Sequence, residues 1–249
     1  MKDTTLAFTP QQIIALANHY NTPAFIDNDP VQFPHRYSEK KDIEISAFLT
    51  SWISWGNRKQ IIRTAQTLHT DIMGDKPLEY LNSRCWTKFK NNPHCFYRTV
   101  KYGDLYQLLQ RLYDIYQKHN DLEECVLNHL DKSGGDPSVA LSDIFTGIAG
   151  IADARKKSPC KRLWFFLRWM VRQDHIVDLG IWQKISPSLL IIPLDTHVHK
   201  VALHLGITTR RATDIATARE ITQYFKKLLP DDPALGDFAL FTYGIENHI

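Results

Sequence analysis

Apolar residues along this chain recur at helical intervals over most of its length. Thr9-Pro10 reads as an N-cap followed by proline at the first helical position, and Ile13, Leu16, Ala17 and Tyr20 then share one face until Asn21-Thr22-Pro23 stops the run. A second helix is expected to open near Ser38, carry Ile43, Ala47 and Phe48, and stop at Gly56-Asn57. Ile61, Ala65, Leu68 and Ile72 mark a third, closed by Gly74. Leu105, Leu108, Leu109, Leu112 and Tyr116 predict another. A short helix through Leu122, Val126 and Leu130, a break at Ser133-Gly134-Gly135 and a helix across Leu141 to Ile148 follow. Residues 86–102 fit either short strands around Asn91-Asn92-Pro93 or an aromatic-rich loop. Strands do not alternate with helices and no repeat is visible, so the expected architecture is all-α.

Two later helices carry candidate chemistry. Ser158-Pro159 reads as N-cap and first helical position, with Leu163, Phe166, Leu167 and Met170 on the apolar face, so Lys161 falls in the first turn. The positive end of the helix dipole and the neighbouring cations disfavour an ammonium there and favour a nucleophilic amine; the plain alternative is an exposed lysine. In IIPLDTHVHKVALHLGI, Asp195-Thr196 opens a helix whose buried face would be Val198, Val201, Ala202 and Leu205, closed by Gly206. An aspartate at such a start is first of all a cap, and it also suits a carboxylate that stabilises a developing cation. His197, His199 and His204 invite a metal reading, but His197 and His199 project from different sides of that helix and no second acidic or His cluster sits at ligand spacing nearby, so no metal site is expected.

Composition narrows the classes. At 249 residues, with 43% hydrophobic and 23% charged positions, the chain can bury a large core and is neither a miniprotein nor a disordered segment. A net charge of +3 says little by itself, but Arg155, Lys156, Lys157, Lys161, Arg162, Arg168 and Arg172 lie in one stretch without an acid. Such focus suits a phosphate backbone, or is a solvated basic face paired with acids elsewhere. Lys156 and Lys157 with the free amides of a helix start also resemble a phosphate clamp. Cys85, Cys95, Cys125 and Cys160 contain no C-x-x-C pair and read as free, buried thiols. The start MKDTTLAFTPQQ lacks the apolar stretch of a signal peptide, and no apolar run approaches the ~18 residues of a membrane span, so a cytoplasmic location without membrane contact is expected.

The segment PLDTHVHKVALHLG resembles the aspartate segment of the helix-hairpin-helix DNA glycosylases, where an apolar-Asp-Thr-His-apolar run opens the helix of the catalytic aspartate. ISAFLTSWISWGNRKQI resembles the early helix and following loop of that family, with its glutamine wedge falling near Trp52. SPCKRLWFFLRWMV resembles the lysine-bearing helix of the archaeal 8-oxoguanine glycosylase branch, in which the lysine precedes the aspartate by a little over thirty residues; here Lys161 and Asp195 are 34 apart. DFALFTYGI resembles the closing helix of that branch, whose Asp-x-x-x-aromatic pair maps onto Asp237 and Phe241. The chain as a whole also resembles a bacterial family known only as a domain of unknown function. No L-P-G-V-G-type hairpin precedes Lys161, and no cysteine follows Cys160, so the iron-sulfur cluster of the endonuclease III branch has no ligands here.

The resemblance implies a two-lobed helical fold with a central cleft. Residues 1–40 would pack on the C-terminal lobe, 41–190 would form the lobe with the lysine-bearing hairpin, and 191–249 the lobe with the aspartate. It implies a monomeric N-glycosylase/AP lyase acting without cofactor or metal on double-stranded DNA with an oxidised purine such as 8-oxoguanine. Lys161 and Asp195 would be catalytic; Asp237, Phe241, Trp52 and Trp55 would serve the base pocket; Arg58, Lys59, Lys156, Lys157, Arg162 and His197 would meet the DNA backbone. Other readings are a nucleic-acid-binding protein that keeps the fold without the chemistry, and a helical metal-dependent phosphohydrolase using His197 or His199.

Overall fold

The computed structural model describes residues 8–249, and over them the chain is all-α. The helices are α1 (Pro10–Tyr20), α2 (Pro23–Ile26), α3 (Lys40–Trp52), α4 (Arg58–Gln66), α5 (Pro77–Ser83), α6 (Tyr102–Lys118), α7 (Leu122–Leu130), α8 (Pro137–Ile144), α9 (Lys161–Val171), α10 (Thr196–His204), α11 (Ile215–Leu228) and α12 (Leu235–Glu246). The segment between α5 and α6, which the pattern left open, is a 3-10 turn, Cys85–Phe89, and a small antiparallel hairpin of β1 (Cys95–Tyr97) and β2 (Val100–Lys101). No helix among the described residues is long and apolar enough to cross a membrane.

The chain divides into two compact units. One comprises Ile26–Asp153; the other joins the residues up to Phe25 to Ala154–Ile249. These bounds differ from divisions at 40 and 190. Helix α9 belongs with the C-terminal helices because its Arg168 and Arg172 are neutralised by carboxylates that follow it in sequence.

In the two-segment unit, α1 begins as expected. Thr9 Oγ1 accepts from the Gln12 amide and Gln12 Oε1 accepts from the Thr9 amide, closing a capping box ahead of Pro10. Ile13 and Ala17 are buried where α1 lies along α12, and α10 packs on α12 as well. Gly244 permits that second approach: a Cβ there would lie 2.5 Å from the His197 ring and 2.6 Å from Val201.

In the Ile26–Asp153 unit, α3 is buried from Ile43 to Trp52 and stops there, short of Gly56-Asn57. Asn57 instead starts α4: its side chain accepts from the Lys59 and Gln60 amides, the work of an N-cap. Buried charge on α3 is compensated. Glu44 accepts from Tyr116 Oη at 2.9 Å and from the amides of Leu122 and Glu123, at the positive end of α7. Cys125 and Cys160 are buried, whereas Cys85 and Cys95 are exposed, which corrects the expectation for half of the thiols.

The apolar run past α4 does not continue as an α-helix. Thr67–Ile72 widens into a π turn, and His69 in that turn is fully buried. Tyr37 Oη and Thr50 Oγ1 each lie 3.0 Å from its ring nitrogens, and Phe33 stacks on the ring at 4.9 Å. Burial, with Arg36 nearby, lowers its pKa from 6.5 to about 3. The folded state therefore binds fewer protons than the unfolded chain between those values, so this contribution is complete above pH 6.5 and is lost as pH falls toward 3. Denaturant titrations of wild type and His69→Asn should show the wild-type advantage shrinking by about 3 kcal/mol between pH 6.5 and 4. A constant difference across that window would contradict a buried neutral imidazole.

Candidate functional site

Helix α9 starts at Lys161, two residues later than expected. Cys160 adopts a left-handed conformation (φ 49°), which prevents the helix from running back through Pro159; the Ser158 hydroxyl accepts from the Cys160 amide instead of capping a longer helix. Lys161 is thus the first helical residue. The apolar face Leu163, Phe166, Leu167 and Met170 is buried as anticipated.

Asp195 is the N-cap of α10. Its Oδ1 accepts from the Val198 amide at 2.8 Å, and its Oδ2 lies 3.3 Å from Lys161 Nζ. The two carboxylate oxygens divide the work: one closes the helix start and the other meets the lysine. Their side chains remain 30% and 32% exposed, so water or a substrate reaches the pair. Lys161 Nζ also stands 5.0 Å from the centre of the Phe165 ring. Residues 34 apart are thereby brought into contact at the starts of two helices.

Beneath this pair is a buried ionic cluster that the sequence did not disclose. Arg168 and Arg172 are 4% and 3% exposed. Arg168 donates to Asp178 Oδ1 at 3.2 Å and to Asp237 Oδ2. Arg172 donates to Asp178 Oδ2 at 3.1 Å, to Asp232 and to Asp174. The basic stretch is therefore two things: Arg168 and Arg172 are internal counter-ions, while Arg155, Lys156 and Lys157 are exposed ahead of α9 and Arg162 is half-buried in its first turn. The Lys157 carbonyl accepts from the Ile215 amide at 3.1 Å, which ties the lysine segment to the start of α11.

Asp237 lies in α12 and is 8% exposed. Burial pushes its carboxyl up to about 7; Arg168 opposes the rise, Asp195 adds to it, Lys161 opposes it and Asp178 adds to it. Phe241, one helical turn further on, meets Tyr20 and Phe25 edge-on at 5.2 and 5.9 Å and His197 at 5.7 Å. His197 Nε2 lies 3.4 Å from the Phe241 carbonyl oxygen. His199 is buried with both ring nitrogens engaged, by Thr213 Oγ1 at 2.9 Å and the Arg210 carbonyl at 2.8 Å, so it serves structure. Among the described residues no group of His, Cys, Asp and Glu is arranged to hold a metal ion.

Trp52 and Trp55 are residues of the other unit. Trp52 is 1% exposed and donates its indole N–H to the Ala149 carbonyl at 2.8 Å, so ring and polar atom are both used in that core; this corrects the expectation of an aromatic presented to DNA. Trp55 is half-buried, edge-on to Tyr97 at 4.8 Å. Arg58 and Lys59 are exposed on the first turn of α4.

Two measurements follow from this geometry. Asp195→Asn keeps an oxygen for the Val198 amide and should melt close to wild type, whereas Asp195→Ala should lose about 1 kcal/mol by denaturant titration; equal losses would mean that the cap contributes nothing. Because the Asp237 pKa is raised from 3.8 to about 7, its contribution is complete below 3.8 and is lost as pH rises through 7. Asp237→Asn should therefore gain on wild type as pH rises from 4 to 8, by about 1 kcal/mol per pH unit at the steepest. A flat difference would show that Asp237 ionises normally.

A family model described as "Protein of unknown function (DUF2400)" matches residues 29–246. No curated protein and no solved structure matches the chain. With a match over most of its length, spanning the Lys161–Asp195 pair and the buried arginine cluster, the chain belongs to the DUF2400 family.

Proposed function

We propose that this protein is a DNA N-glycosylase with AP lyase activity, acting on a damaged base, with an oxidised purine such as 8-oxoguanine as the first candidate. The observation that carries the reading is the contact of Lys161 Nζ with Asp195 Oδ2 at 3.3 Å in a half-exposed position at two helix starts. It is joined by the resemblance of both segments to the lysine and aspartate helices of the helix-hairpin-helix glycosylases. A base inside duplex DNA is unreachable, so the target nucleotide would leave the stack, at a cost of a few kcal/mol.

Asp195 accepts a proton from the lysine, and the free amine attacks the sugar C1′ carbon as the bond from C1′ to the base nitrogen breaks. The base leaves with the bonding electron pair and takes up the proton that Asp195 accepted from the lysine, which restores the carboxylate. As positive charge develops on the sugar, the Asp195 carboxylate, held in place by the Val198 amide, lies close enough to stabilise it. The Lys161–C1′ adduct opens to a Schiff base; loss of a C2′ proton then expels the 3′ phosphate and cleaves the strand by β-elimination. Asp237 and Phe241, set one turn apart on α12, are the residues this reading assigns to the extruded base. Arg162, Lys156, Lys157 and His197 would meet the phosphates on either side; Arg58 and Lys59, in the other unit, are the further residues that the resemblance assigns to the DNA backbone.

Borohydride reduction of the protein mixed with a duplex carrying 8-oxoguanine, or an abasic site, should trap a covalent complex. Lys161→Ala should abolish it, and Asp195→Asn, which keeps the cap, should slow it by 100-fold or more. Absence of a trapped species on either duplex would reject the lyase and leave DNA binding without this chemistry.

A further inference from the structure

The Ile26–Asp153 unit carries a second feature suited to nucleic acid. An open groove of about 360 Å³ runs between α4 and the β1–β2 hairpin, lined by Gln60, Arg63, Thr64, Phe96, Tyr97 and Arg98. No acidic side chain lines it. Arg63 and Arg98 are exposed, and among the described residues neither has an ion-pair partner. Lys59 lies one helical turn before Arg63, on the same side of α4. Cations left without counter-charges around a concave surface are what an external polyanion requires.

The walls are fixed. Tyr97 Oη donates to the Trp55 carbonyl at 2.5 Å, which ties the hairpin to the loop ahead of α4. Phe96 lies nearly parallel to Trp52 at 6.2 Å and meets Tyr102 edge-on at 5.3 Å. Arg98 is seated with equal definition: Gly56 in that loop has φ +98°, and a Cβ there would lie 2.4 Å from Arg98 Nη1. The guanidinium thus lies across a position that only glycine leaves open. Guanidinium donors match phosphate oxygens, and the Gln60 amide and Thr64 hydroxyl add uncharged donors.

We propose that this groove binds the phosphodiester backbone of a DNA strand, with Arg63 and Arg98 on the phosphates and Phe96 available to a sugar or base. The choice of DNA over another polyanion rests on the glycosylase reading; the binding itself does not need Lys161. Fluorescence anisotropy of the full chain with a labelled undamaged 15-mer, single-stranded and duplex in separate arms, tests it over a range of salt. Arg63→Ala/Arg98→Ala should weaken binding about tenfold or more and reduce the salt slope by about 1 to 2, while the charge-matched control Lys118→Ala/Lys132→Ala stays near wild type. The arm that loses more identifies the strand form held. Equal loss in the control, no binding by wild type, or competition by polyglutamate as strong per charge as by unlabelled DNA would overturn the proposal. Binding that depends on the groove without any borohydride trapping would keep this site and remove the lyase; trapping at saturating DNA with affinity independent of Arg63 and Arg98 would do the reverse.

Discussion

Two arginines buried on one helix are expensive unless every guanidinium and every facing carboxylate finds a partner, and this constraint organises the two-segment unit. Arg168 and Arg172 bind four aspartates drawn from the loop after α9, the approach to α12 and α12 itself. Asp178, wholly buried, bridges both arginines. Phe238 lies against them as well, with the Arg168 guanidinium 4.6 Å from the ring centre. An ionic lattice of this kind tolerates little sliding, because moving α12 relative to α9 would strand a charge without solvent. The separation between Lys161, at one end of α9, and Asp237, on α12, is a consequence of that lattice.

The exposed pair above it shows a different use of the same residue types. Asp195 is anchored by a backbone amide at one oxygen and leaves the other for the lysine, so its orientation does not depend on Lys161. A carboxylate held by the start of its own helix is already placed when charge appears nearby, and no reorientation is needed at that moment. Lys161 is held only through its side chain, by Asp195 and by the Phe165 ring; under the proposed lyase reading it would be the group that reaches the sugar carbon.

Local sequence pattern revealed the all-α architecture, the Thr9 N-cap, the position of Asp195 and the first-turn placement of Lys161, since each depends on neighbours within a few residues. What stayed hidden depends on distant ones. Arg168 and Arg172 look like part of a basic surface because their partners are spread from Asp174 to Asp237, as far as 69 residues away. Asn57 looks like the end of one helix and is the beginning of the next, since the same residue type serves both ends. The left-handed turn at Cys160 has no local signature, for cysteine does not favour that conformation. His69 reads as one more polar residue in an amphipathic run, and only the packing of Tyr37, Phe33 and Thr50 around it explains why the helix widens there.

The division of the chain also orders events during synthesis. Helix α1 packs along α12, yet the whole of Ile26–Asp153 and the helices α9, α10 and α11 of its own unit are made between them. At ribosomal speeds of about 5–20 residues per second, α1 waits on the order of 10–50 s before its partner emerges, while the Ile26–Asp153 unit already has all of its residues. During that interval the apolar face of α1, with Ile13 and Ala17, has nothing of its own to cover it. The Thr9 capping box, made from residues only three apart, is a stabilising feature that α1 can form without waiting.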